Sequence, residues 1–200
     1  GTNQITINPT NNLASSTEYY VLIDATSFDD ASGNSYAGIT DTTALSFTTA
    51  DIIAPTLDSS SPTDNATAIS VDSNIILNFS EAVDVETGNI IIKKTSDDAT
   101  VETIDITSSQ VTGTGTNQIT INPGSDLDSS TEYYVLIDAT AFDDASGNSY
   151  AGITDTTALS FTTADIGAPT LDSSSPTDNA TAVAVDSNII LNFSEAVDVE

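Results

Sequence analysis

Histidine, cysteine, methionine and tryptophan are all missing from this sequence. Without cysteine no disulfide can reinforce a small core, and thiolate catalysis and cysteine zinc sites are excluded. Without histidine the many serine and threonine hydroxyls have no ordinary general base, which argues against a nucleophilic enzyme. Basic residues are almost as scarce. Only Lys93 and Lys94 stand against 30 Asp and Glu, for a formal net charge of -28. Nucleic acid and anionic membrane surfaces are therefore excluded as partners, and cations become the natural ones. No apolar run approaches the roughly 20 residues of a membrane helix, so no membrane insertion is expected in this segment. The first residues also lack the basic start and apolar block of a leader, which places any targeting signal outside these residues.

What is present is a repeat. The stretch "FDDASGNSYAGITDTTALSFTTADI" begins at Phe28 and recurs unchanged at Phe142. Residues 1–53 align without gaps on 115–167 with six differences, and 54–86 align on 168–200 with two, Ile69/Val183 and Ser70/Ala184. The period is 114 residues throughout. One complete unit is expected at 54–167, with the back part of a unit at 1–53 and the front part of another at 168–200. The window then cuts through two domains, and either the chain continues or a neighbouring identical chain completes each part by adding strands.

Hydrophobic content of 38% allows a modest core. Its pattern is alternation with period two between clusters of Asp, Ser, Asn, Gly and Pro, the mark of half-buried strands. "NIILNF" sets Ile75, Leu77 and Phe79 on one face, "NQITINP" sets Ile119 and Ile121, and "TEYYVLID" sets Tyr133, Val135 and Ile137. Adding "PTLDSSSP", "NIIIKKT", "TVETIDIT" and "ALSFTT" gives about seven short strands per unit and no helical period. The expected fold class is all-β, a tandem of Ig-like antiparallel β-sandwich domains of about 114 residues, with a closed barrel as the alternative. Tyr134 and Leu136 would face away from the core, which raises a lateral contact as a possibility. Lys93 and Lys94 would decorate a strand end and discourage edge pairing.

The order "APTLDSSSPTDNATAISVDSNIILNFSEAVD", "GNIIIKK", "QITINPGSDLDSSTEYYVLIDATAFDDASGN" and "LSFTTAD" closely resembles the bacterial Ig-like repeats of S-layer proteins and very large surface adhesins. The resemblance covers the whole unit and is carried most specifically by the paired "FSEAVD" and "DDASGN" loops. It implies an extracellular module at the bacterial cell surface, strung in tandem with adjacent repeats and often stiffened by calcium.

In a sandwich of this type the B–C and F–G loops share the pole at which the chain enters. That pole would gather Glu81, Asp84 and Glu86 from "SEAVDVETG", Asp143, Asp144 and Asn148 from "ATAFDDASGNSYAG", and Asp51 from the linker. Carboxylates so crowded repel unless a cation sits among them, and Ca2+ accepts six to eight oxygen ligands of mixed type. The copies of these residues in the flanking parts are Asp29, Asp30 and Asn34 on one side and Asp165, Glu195 and Asp198 on the other. Gly33 and Gly147 are expected to turn the loop with positive φ. The spacing is not that of an EF-hand. Asp, Ser, Gly and Asn also form turns that bind nothing, and that reading stands beside the metal.

Three functions follow as expectations. The first is a structural extender of an adhesin, biofilm or S-layer protein, stiffened by calcium at domain poles and junctions. The second is a subunit of a self-assembling extracellular filament in which partial domains are completed by neighbouring chains. A carbohydrate-binding module is the third, and it lacks an evident aromatic platform.

Overall fold

A computed structural model of the chain describes residues 2–199. All its regular structure is strand. Two strands precede the central unit, β1 (Glu18–Tyr20) and β2 (Ser46–Thr48), and two follow it, β13 (Leu171–Ser175) and β14 (Ile190–Phe193).

Between them ten strands stack as two sheets. One sheet runs in the order β4 (Ala66–Ile69), β12 (Ser160–Thr163), β10 (Glu132–Ile137), β6 (Asn89–Lys94), β7 (Thr100–Asp105). The other runs β11 (Phe142–Asp143), β5 (Ile75–Val85), β9 (Thr116–Ile121), β8 (Val111–Thr112), with β3 (Leu57–Ser61) also paired to β5. Every pairing in the unit is antiparallel except β12 with β4. An open sandwich is thus observed in place of a closed barrel.

The alternation read from sequence is what fills the space between the sheets. Ile75, Leu77, Ile119 and Ile121 from one sheet meet Ile90, Ile92, Tyr133, Val135 and Ile137 from the other, all essentially inaccessible to solvent. Burying an aliphatic side chain of this size is worth about 1.5–3 kcal/mol. The hydroxyl of Tyr133 turns back to accept the backbone N–H of Asp128 at 2.9 Å, and Tyr19 does the same with Ala14 at 2.9 Å. This is the tyrosine corner of Ig-type sandwiches.

The flanking parts show what each strand requires. β1–β2 repeat the pairing of β10–β12, and β13–β14 repeat that of β3–β5. The counterpart of β9, residues 2–7, forms no strand, and its ladder partners β5 and β8 have no counterpart beside it among the described residues. A strand here exists only where a neighbour takes its backbone hydrogen bonds.

One expectation is corrected. Lys93 and Lys94 lie on β6, an interior strand flanked by β10 and β7, so they guard no edge. Lys94 pairs with Asp128 at 2.6 Å. Tyr134 does face away from the core, yet it is only 2% exposed. The Lys93 ammonium lies 5.7 Å above its ring and its hydroxyl donates to Asp98 at 2.9 Å, so the chain's own neighbours cover it.

Candidate metal centre

The pole at which the chain enters the central unit rests on an aromatic cluster. Phe79 of β5 packs 5.2 Å from Phe142 of β11 and edge-on to Tyr150 at 5.1 Å. Phe142 and Tyr150 bracket the acidic turn Asp143–Ser149, and the Tyr150 N–H donates to the Phe142 carbonyl at 2.8 Å. The turn is therefore anchored at both ends in the core.

Inside it, Asp144 organises the backbone. Its Oδ1 accepts the N–H groups of Ser146 and Asn148, each at 2.8 Å, and its Oδ2 accepts the Asn148 side-chain amide at 2.7 Å. Gly147 takes φ 82° and Gly33 takes φ 84°, the conformation expected of them. The Asn148 amide bond above all, with the backbone donors, holds the Asp144 carboxyl below its ordinary range.

Glu81 arrives differently from its expected place on a loop. β5 continues through it to Val85, with a register shift between Asn78 and Val83 that re-aims the strand. At the shift, Ser80 exchanges two bonds with Thr56, whose N–H donates to Ser80 Oγ at 3.0 Å and whose carbonyl accepts the Ser80 N–H at 2.9 Å. That lock ties the linker to β5 immediately beside Glu81.

Asp51 is held from the other side. Its Oδ1 accepts the hydroxyl of Ser15 at 3.0 Å and the N–H of Ile53 at 3.0 Å, while Ser15 Oγ accepts the Ile52 N–H at 2.9 Å. Its carbonyl meets the Asn148 amide at 3.4 Å. One residue thus touches the part of the chain before the linker and the turn after it.

The result brings one carboxylate oxygen each from Asp51, Glu81 and Asp144 within 4.8 Å of one another. Partial burial, then the charges of Asp144 and Asp51, push the Glu81 carboxyl above its ordinary value of 4.5. Backbone donation from Ile53, then the Ser15 hydroxyl, hold Asp51 below its ordinary value. Two acids held below their ordinary values stand beside a third pushed above its own, and a positive charge among them would relieve the repulsion that raises Glu81. The donor set is all oxygen, which suits a hard divalent ion.

The other expected residues divide. Asp84 and Asp143 face each other across β5 and β11, apart from the triad. Thr114 donates to Asp84 at 3.1 Å, and one oxygen of Asp143 is buried without a partner. Asn148 borders the triad but turns its amide N–H toward it. Asp29 sits in the Asp143 position, and Asp30 repeats the bonds of Asp144 to Ser32, Asn34 and the Asn34 amide at 2.8, 2.8 and 2.7 Å. Asp165 repeats the setting of Asp51, accepting from Ser129 and Gly167, and Glu195, in the position of Glu81, is exposed. Asp198 is exposed. Ser15 and Ser80, which aim the acids, were not anticipated. Their copies at Ser129 and Ser194 were the available sign.

The sequence matches the model of the bacterial Ig-like domain over residues 1–49, 51–163 and 165–200. No curated protein matches it. Among solved structures, CopC from Methylosinus trichosporium OB3b is 14% identical with a TM-score of 0.41, covering 57% of this chain and 97% of CopC. The S-layer protein rSbsC(31-844) is 17% identical with a TM-score of 0.38, covering 61% of this chain, which spans 16% of that longer protein. With three consecutive matches across nearly its whole length, the chain belongs to the bacterial Ig-like domain family.

Proposed function

We propose that the chain is a structural extender of a bacterial extracellular adhesin, biofilm or S-layer protein, in which Ca2+ clamps the junction between successive repeats. The supporting observation is the triad itself, because Asp51, hydrogen-bonded to Ser15 of the preceding part, stands with Glu81 and Asp144 of the central unit. An ion there holds two bodies together, and it offsets the repulsion that the Glu81 carboxyl registers.

Turn formation accounts for Asp144 but not for the triad. The Asp30 turn keeps the same bonds with no acid cluster around it among the described residues, so the loop folds from its own sequence. Nothing in that turn requires Glu81 or Asp51 to approach. Asp51, Glu81 and Asp144 would hold the ion, with the rest of a six- to eight-oxygen sphere left to carbonyls and water. Its part is mechanical: it fixes the angle between neighbours, so that a string of short sandwiches keeps its length.

The test is calorimetry and small-angle scattering of the 200-residue chain in Ca2+ and in chelator. A higher melting temperature and a narrower distribution of dimensions in Ca2+ are expected, and both are lost in Asp144→Asn. Identical behaviour in the two buffers would remove the clamp.

A further inference from the structure

Tension along a tandem enters each unit through the strands next to its linkers, so the path of the chain across the central unit decides how that unit answers a pull. The chain enters at the pole of Asp51, Glu81 and Asp144. It leaves after β12 at Ala164, whose carbonyl accepts the hydroxyl of Ser129 at 3.1 Å and the N–H of Ser130 at 3.2 Å. β10 starts two residues after Ser130 and runs toward the Asp144 turn, a strand of six residues or about 20 Å. Entry and exit are therefore at opposite poles.

β3 runs from the entry pole, where Leu57 faces Phe79 of the aromatic cluster, to Ser61 beside Ile76. The chain then crosses to the other sheet and continues the same way as β4, at the sheet's edge and parallel to β12, the last strand of the unit. The segment pulled from the preceding side thus lies beside the strand pulled from the following side, and both point to the exit pole. Opposite pulls on such a pair slide one strand along the other.

The bonds that oppose this sliding span the whole pair. At its start the Asn65 N–H donates to the Ser160 carbonyl at 2.8 Å, and at its end the Ala164 N–H donates to the Ile69 carbonyl at 2.7 Å. Asp64 adds a side-chain tie, its Oδ1 accepting the Ser160 N–H at 2.9 Å and the Ser160 hydroxyl at 3.0 Å. That tie reaches across 96 positions, so it is no bond of a local turn. Ser160 and Thr163 are 7% and 3% exposed, which keeps water from replacing the bonds as they stretch.

We propose that the central unit carries tension along the tandem, with the β4–β12 pair as the element that resists it and Asp64 as the residue that ties the pair at its start. Sliding loads all of these bonds at once, so they fail together, whereas separation from one end breaks them in turn. Forced unfolding follows the unfolding rate and not equilibrium stability, so a sandwich of ordinary stability can resist strongly in this one direction. The proposal rests on the tandem arrangement and needs no ion.

Because the chain has no cysteine, pulling handles can be placed at chosen positions of the 200-residue chain. Ile52→Cys with Ile166→Cys, both exposed, pulls β3–β4 and β12 in opposite directions. Ser70→Cys, also exposed, with Ile166→Cys peels the pair open from its exit end. In optical tweezers, in chelator, the first pull is expected to need a several-fold higher unfolding force than the second. Asp64→Ala should shorten the lifetime under constant force at least about tenfold in the first pull, since it removes two bonds to a carboxylate. It should leave the second pull unchanged, because there the Ile69 end gives way first. Asp64→Asn keeps an acceptor and should recover most of the loss. Equal forces in the two directions, or an equal loss from Asp64→Ala in both, overturn the proposal whatever Ca2+ does to the melting temperature. Direction dependence in chelator upholds it even if the calcium clamp fails its own test.

Discussion

Glu81 is the residue on which the junction's chemistry turns. Its carboxyl is raised by burial and by Asp144 and Asp51, so its charge disfavours the folded state when no cation is present. A group raised in this way gives stability below its folded pKa and withdraws it as the pH climbs through that value. Asp51 and Asp144 are lowered, so their contribution is present above their ordinary 3.8 and is lost as the pH falls through their folded values. In chelator, thermal stability should therefore rise as the pH drops from neutrality toward the raised pKa of Glu81, above 4.5. It should fall again once the two aspartates protonate. With Ca2+ present the first rise should vanish, because the ion favours the charged form. Glu81→Gln separates these effects by sign: in chelator it should melt higher than the parent at pH 7, and in Ca2+ it should show no metal-induced gain. Melting curves in the two buffers check both.

At the scale of elements, seven of the ten strands of the central unit were legible because each carries an alternating or apolar run, or a Leu beside Pro and Ser turns, between turn-forming clusters. The three that were not are β8 and β11, two residues each, and β4, whose Ala68 takes φ 57° and breaks the alternation. Such short pairings are fixed by neighbours already in place, and a single sequence does not carry that information. The same limit applied to the site. Which acids share a pole followed from loop order, but the division of Asp84 and Asp143 from the triad depends on β5 extending through Glu81 and Asp84. Two glycines show how tightly the turns are drawn. A side chain on Gly113, at φ 107°, would meet the Gln118 carbonyl oxygen at 2.1 Å, whereas Gly147 has nothing within 4 Å. Gly113→Ala should cost at least about 2 kcal/mol and Gly147→Ala about 1 kcal/mol, from backbone strain alone in the second case. Leu77→Ala, at the centre of the core, should cost about 3 kcal/mol. Urea unfolding of the three variants would rank them.

The whole molecule carries -28 formal charges on 200 residues, and compact acidic bodies placed in a row repel along the row. Raising monovalent salt in chelator should stabilise the chain by screening, gradually and without saturation. Ca2+ should act at far lower concentration and saturate, as binding to a site does. Comparing the two titrations by melting temperature distinguishes a seated ion from an atmosphere. The triad also has an arithmetic of its own. Asp51 is bonded to Ser15 of the preceding part, while Glu81 and Asp144 stand on the central sandwich. Each added 114-residue period brings one more copy of each of the three acids. If the acids clamp junctions as proposed, length can be lost or gained in whole 114-residue periods while every surviving joint keeps its three acids, and such a protein varies its span without redesigning a single joint.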